Sequence, residues 1–324
     1  MEKNIYIKLK KELPGIRKNV SLKEYTTFKI GGPAKYFFIA ETKENLVKAL
    51  EVSKKFRLPI FILGGGSNIL VSDKGFNGLV VKIQITDIEL KANEIFVGGG
   101  VMLPKLVNVL LKNSFTGLEW ASGVPGTIGG AVYGNAQAFG TKVSDAIDNV
   151  EVLDAKTLKT KILPKNQCRF TLKNSIFKKN KNLIIVSVVL KLDKGNGAEI
   201  KEKINNYLKH RKTLHPTAFP SAGSVFVNPE IEIKNKKILE KFPELIEFNK
   251  NKYIPSGYLI EKVGLRGKKI GQAQISEKHA NFIINLGKAK AKDILALMNL
   301  AKKKVKNVFK INLETEVQFV GFKK

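Results

Sequence analysis

Apolar residues recur at two different spacings along the chain, and these spacings predict a mixture of helices and short strands. Helical spacing predicts helices at 44–56, about 104–113, 199–214, about 256–263 and about 290–305. Short apolar runs predict strands at 60–64, 79–84, 94–98, near 149–154, 158–163 and 183–192, and at 280–285 and 314–320. Because these elements do not alternate regularly, the pattern favours an α+β fold.

The pattern changes near Gly195 and Gly197, where the segment LDKGNGAE separates a strand from a basic helix. This change predicts a first region, 1–195, in two lobes of about 1–83 and 84–195, followed by a domain at 196–324. A chain of 324 residues is long enough for two or three domains with a substantial core.

The composition is that of a globular protein, with 43% hydrophobic and 26% charged residues. The N-terminal segment MEKNIYIKLKKELPG lacks the apolar core of a signal peptide, and the longest apolar run, 183–190, is too short for a membrane span. The single cysteine, Cys168, excludes an internal disulfide, and no Cys/His cluster suggests a metal. We therefore expect a cytoplasmic protein without a metal or a membrane partner.

The net charge of +29 comes almost entirely from lysine, since only five of the 57 basic residues are Arg. Reading of base edges favours the rigid Arg fork, whereas these lysines are spread along the chain. The densest run, at 302–306, is interpreted as the solvated face of a helix. The charge thus favours attraction of small anionic substrates over nucleic-acid binding.

Two glycine-rich segments are the strongest candidates for ligand-binding loops. Residues 122–130, SGVPGTIGG, have four glycines and one proline, and residues 63–81 begin with LGGGSN. Glycine accepts positive φ and close backbone approach, which leaves N–H groups free for a phosphate or a flat ring. A pair of tight turns is the alternative, but two such loops beside apolar strands favour one shared ligand. No G-x-G-x-x-G occurs, and GLRGKK at 264–269 lacks P-loop spacing, so a dinucleotide would need another fold.

Six segments together resemble the UDP-N-acetylenolpyruvoylglucosamine reductase (MurB) family in number, order and spacing. They are YTTFKIGGPA (25–34), LGGGSNILVSDKGF (63–76), SGVPGTIGGAVYGNAQAFG (122–140), SAGSVFVNP (221–229), LIEKVGLRGKKIGQAQISEKHANFIIN (259–285) and LETEVQFVG (313–321). The resemblance implies an FAD-binding region of the vanillyl-alcohol-oxidase (PCMH) type at 1–195 and a smaller α+β substrate-binding domain. The chain is most similar to the shorter subgroup, which lacks an inserted tyrosine loop.

The same resemblance implies a bacterial cytoplasmic flavoenzyme of peptidoglycan precursor synthesis. Such an enzyme binds FAD non-covalently, takes a hydride from NADPH and passes it to C3 of the enolpyruvyl group of UDP-N-acetylglucosamine enolpyruvate. The product is UDP-N-acetylmuramate. The expected partners are therefore this UDP-sugar and NADPH, and nothing in the sequence indicates an oligomeric state.

The resemblance also implies which residues bind the two ligands. The expected FAD-binding residues belong to the glycine-rich segments: Gly64, Gly65, Gly66, Ser67, Asn68, Ser122, Gly123, Pro125, Gly126, Thr127, Gly129, Gly130, Asn135 and Gly140. The expected substrate-binding residues are Arg211, Lys212, Asn228 and His279. On the residues alone, Arg211 and Lys212 would also suit a helix C-terminus, and His279 could simply orient a loop.

Ser224 and Glu316 match two catalytic positions of the family. Ser224, in AGSVF, stands where the family has the serine that protonates C2, although by itself it could be a turn serine after Gly223. Glu316 matches the catalytic glutamate because it directly precedes Val317, whereas Glu314 shares only its side-chain parity. Protonation of C2 needs a nearby donor and groups that hold the developing negative charge.

The third catalytic position departs from the family pattern of Tyr-Arg, any residue, then Ser. Here Leu172 and Lys173 precede Asn174 and Ser175. Lys173 retains the positive charge but not the planar, two-pronged contact with a carboxylate. Arg169, four residues earlier, is the alternative cation at this position.

Two other functions compete with this interpretation. A flavoprotein such as an alcohol oxidase would often attach FAD covalently through His or Cys, and neither glycine-rich loop contains one. A basic nucleic-acid-binding module would show a steep salt dependence of binding and no flavin absorbance.

Overall fold

A computed structural model describes residues 2–322. Its helices are α1 (Glu2–Glu12), α2 (Lys43–Lys55), α3 (Leu103–Lys112), α4 (Ile128–Gly134), α5 (Val143–Ala146), α6 (Ile176–Lys179), α7 (Gly197–Leu214), α8 (Lys236–Lys241), α9 (Leu245–Lys250), α10 (Ser256–Lys262) and α11 (Ala291–Phe309). Short 3-10 helices occupy Leu22–Tyr25, Glu119–Ala121 and Lys165–Cys168. Within residues 2–322, no helix is long and apolar enough to cross a membrane.

The strands are mostly short. They are β1 (Arg17–Ser21), β2 (Pro33–Ala40), β3 (Ile60–Leu63), β4 (Ile69–Val71), β5 (Phe76–Ile83), β6 (Ile88–Lys91), β7 (Glu94–Gly98), β8 (Gln137–Ala138), β9 (Thr141–Lys142), β10 (Ile147–Asp154), β11 (Thr160–Pro164), β12 (Leu183–Lys191), β13 (Lys269–Ile270), β14 (Ala273–Ile275), β15 (Ile283–Asn285) and β16 (Gln318–Val320). The mixture of helices and strands confirms the predicted α+β class.

The chain forms two compact units. Unit 1 consists of the chain up to Ser21, Pro33–Gly66 and Phe76–Arg211. Its first sheet has the order β1-β2-β5-β3, in which β2, β5 and β3 are parallel and β1 is antiparallel to β2. β5 is buried at four successive residues, 78–81, as expected for a strand covered on both faces. The first glycine-rich loop begins where β3 ends.

The second sheet of unit 1 is antiparallel, with the order β11-β10-β12-β7-β6. Its apolar face packs with α3, α4 and the first half of α7 in one core, to which α7 contributes Ile200 and Ile204. This packing includes α4, which directly follows the second glycine-rich loop. Both loops therefore rise from well-packed elements of the same unit.

Unit 2 consists of Leu22–Gly32, Ser67–Gly75 and the chain from Lys212 onward. It contains the antiparallel sheet β13-β14-β15 and a parallel pair, β16-β4. α11 buries one face, at Ala291, Ile294, Leu297, Met298, Ala301, Val305 and Phe309, which is the spacing of an amphipathic helix. The β16-β4 pair joins the segment 67–75 to the C-terminal segment.

The predicted helices at 44–56, 104–113, 199–214, 256–263 and 290–305 are confirmed with small shifts at their ends. The predicted strand at 314–320 is too long, since β16 covers only Gln318–Val320. The residues before it instead bond to the segment around Val225, where Glu316 N–H donates to Val225 O. The predicted domains 1–195 and 196–324 stay a prediction, while the compact units divide the chain after Arg211 because α7 packs into unit 1.

Candidate flavin and substrate residues

The two glycine-rich loops of unit 1 are in direct backbone contact, although they are far apart in the sequence. A Cβ atom added to Gly65 would lie 2.6 Å from Gly126 Cα, and one added to Gly64 would lie 2.8 Å from Thr127 Oγ1. Only residues without side chains allow this approach. The loops that the sequence singled out separately therefore form one structure.

Several backbone N–H groups of these loops have no acceptor in the protein. Within residues 2–322, the N–H groups of Gly65, Gly66 and Gly126 donate no hydrogen bond to another residue. Gly66, Gly123 and Gly126 have φ of 65°, 69° and 118°, which side-chain-bearing residues rarely adopt. Pro125, between two of them, is exposed and restricts the backbone at the outer edge of the loop.

The start of the second loop contains an unsatisfied buried hydroxyl. Ser122 is 4% exposed, and its Oγ has no hydrogen-bond partner among the described residues. Buried polar atoms of this kind usually have a partner, so an unpaired one calls for an explanation. Together with the free N–H groups and the close glycine contact, it fits a ligand that is flat in one part and carries phosphate in another. FAD has both parts.

The end of the second loop is fixed by α4. Thr127 is its N-cap residue, and its Oγ1 accepts from Gly130 N–H at 3.2 Å. Gly129 lies where a Cβ would be 2.7 Å from Gly99 O, so glycine is required for packing at this position. The predicted FAD contacts of Thr127, Gly129 and Gly130 stay predictions, while their roles in forming the loop are visible.

Asn135 ends α4 in the left-handed conformation, with φ of 44°. Its Nδ2 donates to Thr171 O at 2.9 Å, its Oδ1 accepts from Ser144 N–H at 3.4 Å, and the residue is 1% exposed. The Asn135 amide thus connects the end of α4 to the segments of Thr171 and Ser144. Gly140, with φ of 80°, lies in the exposed turn between β8 and β9.

Arg211 holds the second loop from the end of α7. Its Nε donates to Ser122 O and its Nη2 to Trp120 O, both at 3.0 Å, and its guanidinium lies 5.1 Å from the centre of the Phe139 ring. Burial lowers the pKa of Arg211. The substrate contact predicted for Arg211 stays a prediction, while the structure shows that Arg211 bonds to Ser122 at the start of the second glycine-rich loop.

Lys173 lies in a tight turn that is attached to α4. Thr171 and Asn174 exchange backbone hydrogen bonds of 3.1 and 3.2 Å around it, and Lys173 has φ of 50°. Ser175 Oγ donates to Tyr133 O at 2.6 Å, which fixes this turn to α4. Lys173 is half-buried, whereas Arg169 is exposed. The burial favours Lys173 over Arg169 as the cation of the site.

In unit 2, three predicted site residues lie on neighbouring backbone segments. Ser224 forms a bridge with Phe282, and the next residue, Val225, accepts from Glu316 N–H at 2.8 Å. Asn68 Nδ2 donates to Glu316 O at 3.4 Å, and Asn68 O accepts from Gln318 N–H at 3.0 Å. The fold therefore brings together the segments that contain Ser224, Glu316 and Asn68.

Burial also distinguishes Glu316 from Glu314, the two glutamates that were candidates for the catalytic position. Glu316 is half-buried, while Glu314 is exposed. Asn68, beside Glu316, has a buried Oδ1 with no hydrogen-bond partner in the described part of the chain. Ser67, which precedes it, is half-buried. These observations favour Glu316 as the acidic residue of the site.

His279 lies in the loop that flanks Ser224. Its Nδ1 accepts from Asn281 N–H at 3.2 Å, and its ring packs against His215 and Phe282 at centroid distances of 5.8 and 5.0 Å. Burial lowers the pKa of His279, so the structure favours the neutral ring with its proton on Nε2. The Nε2–H group is then the donor left for a ligand.

Asn228 and Lys212 are the remaining predicted substrate residues. Asn228 Oδ1 accepts from Ser256 N–H at 2.8 Å, and its Nδ2 donates to the Tyr253 hydroxyl, so both ends of its amide hold the start of α10. Lys212 is exposed, and its carbonyl accepts from Lys278 Nζ at 3.2 Å. In the described residues, no group of three or more His, Cys, Asp or Glu side chains could hold a metal ion.

Comparison with known proteins matches both parts of the chain. Residues 34–158 match a family described as FAD binding domain, and residues 215–320 match the C-terminal domain of UDP-N-acetylenolpyruvoylglucosamine reductase. The reductase of that name from Clostridium novyi (strain NT) is 37% identical over 94% of this chain and 92% of its own. The one from Bacillus subtilis (strain 168) is 34% identical over 99% of both chains. A crystal structure of the Thermus caldophilus reductase superposes with a TM-score of 0.76 at 32% identity, covering 94% of this chain and 99% of that one.

Proposed function

The chain belongs to the UDP-N-acetylenolpyruvoylglucosamine reductase family of FAD-dependent oxidoreductases in peptidoglycan synthesis, and we propose that it reduces UDP-N-acetylglucosamine enolpyruvate to UDP-N-acetylmuramate with NADPH. The observation that carries this proposal is the arrangement in unit 2. There, the segments of Ser224 and Glu316 are hydrogen-bonded neighbours within the part that matches the family's C-terminal domain. We place the reaction in the cytoplasm, where the nucleotide-linked precursors are made.

FAD would be held non-covalently by the two glycine loops, with contacts from 64–68, from 122–130 and from Asn135 and Gly140. Bound there, FAD would supply the chemistry for hydride transfer from NADPH to C3 of the enolpyruvyl group. A covalent attachment is not favoured, because Cys168 is buried, donates to Leu163 O and Pro164 O, and has its pKa raised to about 11 by burial.

Ser224 would supply the proton that completes the reduction. Hydride addition at C3 would break the C2=C3 π bond, turn the C3 methylene into a methyl group and leave the electron pair on C2 and its carboxylate. Transfer of the Ser224 hydroxyl proton to C2 neutralises that carbon, and the serine then regains a proton from solvent. A hydroxyl is a weak acid, so the transfer requires groups that stabilise the charge on both partners.

Glu316 and Lys173 would assist this transfer, each through its charge. Lys173 offers an ammonium group to the substrate carboxylate, which disperses the charge that develops beside C2. Glu316, half-buried near Ser224 in the backbone network, would orient the substrate and the serine. His279, through Nε2–H, and Lys212 would contact the rest of the UDP-sugar. Asn228 and Arg211 would also contribute to substrate binding, in addition to the structural bonds that they form.

The proposal is tested by the visible spectrum of the purified protein. A yellow protein should be bleached by NADPH and recover its absorbance when the enolpyruvyl nucleotide is added. Ser224→Ala should leave bleaching by NADPH close to that of wild type and slow the recovery by roughly 100-fold or more, because only the proton donor is lost. Ser221→Ala, in the same loop, is the matched control and should change neither step. Equal slowing of both steps by Ser224→Ala would refute its role as proton donor.

A further inference from the structure

Lys82 is a lysine in a largely buried strand, next to the first glycine-rich loop. It lies near the end of β5, in register with Leu63 of β3, and the two residues before it are fully buried. Its Nζ donates to Gly64 O at 3.2 Å. The lysine thus reaches from the strand to the first residue of the loop.

This ammonium group has no counter-charge in the described part of the chain. Burial is the only cause of its lowered pKa, and no carboxylate forms an ion pair with it among residues 2–322. Lys43, in the same unit, is by contrast paired with Glu151 at 3.0 Å. A half-buried cation without a partner is unfavourable by itself, because desolvation is not offset by an opposite charge.

The groups around Lys82 Nζ are donors that need an acceptor. Gly64 O uses one N–H of the ammonium, which leaves two others. The N–H groups of Gly65 and Gly66, the next two residues, also lack an acceptor in the described residues. One positive charge and a run of free donors therefore lie at the same loop, and this combination suits a phosphate group.

We propose that Lys82 is the counter-charge for the pyrophosphate of FAD. The proposal deepens the FAD binding on which the proposed function rests. Lys82 acts as a cofactor-binding residue that compensates a phosphate charge, while the loop N–H groups supply the directional hydrogen bonds. The isoalloxazine ring is the other part of FAD on which the charge could act.

The affinity of the apoprotein for FAD tests the proposal. Lys82→Gln keeps a hydrogen-bond donor for Gly64 O and removes the charge, so it should weaken FAD binding by roughly 10- to 100-fold, the range for a hydrogen bond to a charged group. Lys82→Arg retains the charge and should stay within a few-fold of wild type. Lys105→Gln removes an exposed lysine of the same unit and is the control, with unchanged affinity. Thermal melts of the apoproteins establish that each variant is folded, and Lys82→Met replaces Lys82→Gln if that variant is not.

The midpoint potential of the bound flavin separates the two parts of FAD. The pyrophosphate has the same charge in both redox states of FAD. Removal of the Lys82 charge should therefore weaken the binding of oxidised and reduced FAD equally and leave the midpoint potential unchanged. A lowered potential in Lys82→Gln would assign the charge to the isoalloxazine and overturn the proposal. Wild-type affinity in that variant would overturn it as well. If the wild-type protein itself bound no FAD, the proposed function would fail instead.

Discussion

Adding one methyl group at Gly65 tests whether contact between the two glycine loops forms the flavin site. In Gly65→Ala the new Cβ would lie 2.6 Å from Gly126 Cα and 3.1 Å from both Gly126 C and Thr127 N. All three are backbone atoms of the second loop, so no side chain can rotate away to make room. The φ of Gly65 is not in the positive range, so the substitution adds no strain from a left-handed backbone to this clash.

The size of the effect follows from the distance that the loops must separate. Carbon atoms in contact prefer about 3.5–4.0 Å, so the loops must move apart by roughly 1 Å. Overpacking of this kind typically costs about 1–3 kcal/mol. If the loops bind FAD together, that cost reduces the affinity for FAD by roughly 5- to 150-fold.

Fluorescence titration of the apoprotein with FAD measures this loss, and Gly134→Ala provides the control. Gly134, in the last turn of α4, has no atom within 4 Å of an added Cβ and no positive φ. Alanine is favoured over glycine in a helix by about 0.5–1 kcal/mol, so this variant should keep its FAD affinity and melt no lower than wild type. If Gly65→Ala binds FAD as wild type does and melts at the same temperature, contact between the two loops does not form the flavin site.

Two further predictions concern unit 2. Glu316→Gln should slow the recovery of flavin absorbance by enolpyruvyl nucleotide and leave bleaching by NADPH intact, while Glu314→Gln, at an exposed position, should change neither rate in stopped-flow measurements. For His279, burial places the pKa below the ordinary value of 6.5, so the unfolded chain takes up a proton first as the pH falls. Urea unfolding should therefore show stability decreasing from about pH 7 to pH 5, and this decrease should be smaller in His279→Gln; an identical pH dependence in the variant would contradict the assignment.

The local structure of the flavin loops could be predicted from the sequence, but not their contact. The composition of 122–130 and of 63–68 indicates turns with positive φ, and the structure shows such φ at Gly66, Gly123 and Gly126. The approach of Gly65 to Gly126 is a contact between residues distant in the chain. A glycine can pack closely against many different segments, so no local sequence pattern could identify Gly126 as the residue that Gly65 contacts.

Residue type also predicted which residues could bind a ligand, but it did not show which groups their polar atoms bond to. Asn135 and Asn228 have amides that suit a cofactor or a substrate, yet each bonds through both ends to the protein. Arg211 likewise gives one N–H group to Ser122 O in the second loop and another to Trp120 O in the 3-10 helix before it. A polar side chain in a matched motif can therefore act by shaping the site, and only the bond partners reveal this.

The proposed role of Lys82 was not predicted from the sequence, although the sequence contains a signal for it. The segment GLVVKI has a single charged residue in an otherwise apolar strand that is covered on both faces. A lysine in such a run is rarely buried without a partner. Its position beside Gly64 depends on the register between β3 and β5, which the sequence does not specify.

The domain boundary was hard to predict because the chain passes between the two units more than once. One passage lies between Gly66 and Ser67, inside the first flavin loop, and another lies between Arg211 and Lys212. Two residues after Gly65, the backbone therefore already belongs to unit 2, where Asn68 bonds to Glu316 O. The short motif LGGGSN thus links the flavin loop to the segment of a proposed catalytic residue through a few peptide bonds. Because only two residues separate Gly65 from Asn68, a shift of the loop at Gly65 should also move Asn68, which bonds to Glu316 O. We therefore expect Gly65→Ala to slow reoxidation of the flavin by the enolpyruvyl nucleotide as well as to lower FAD affinity.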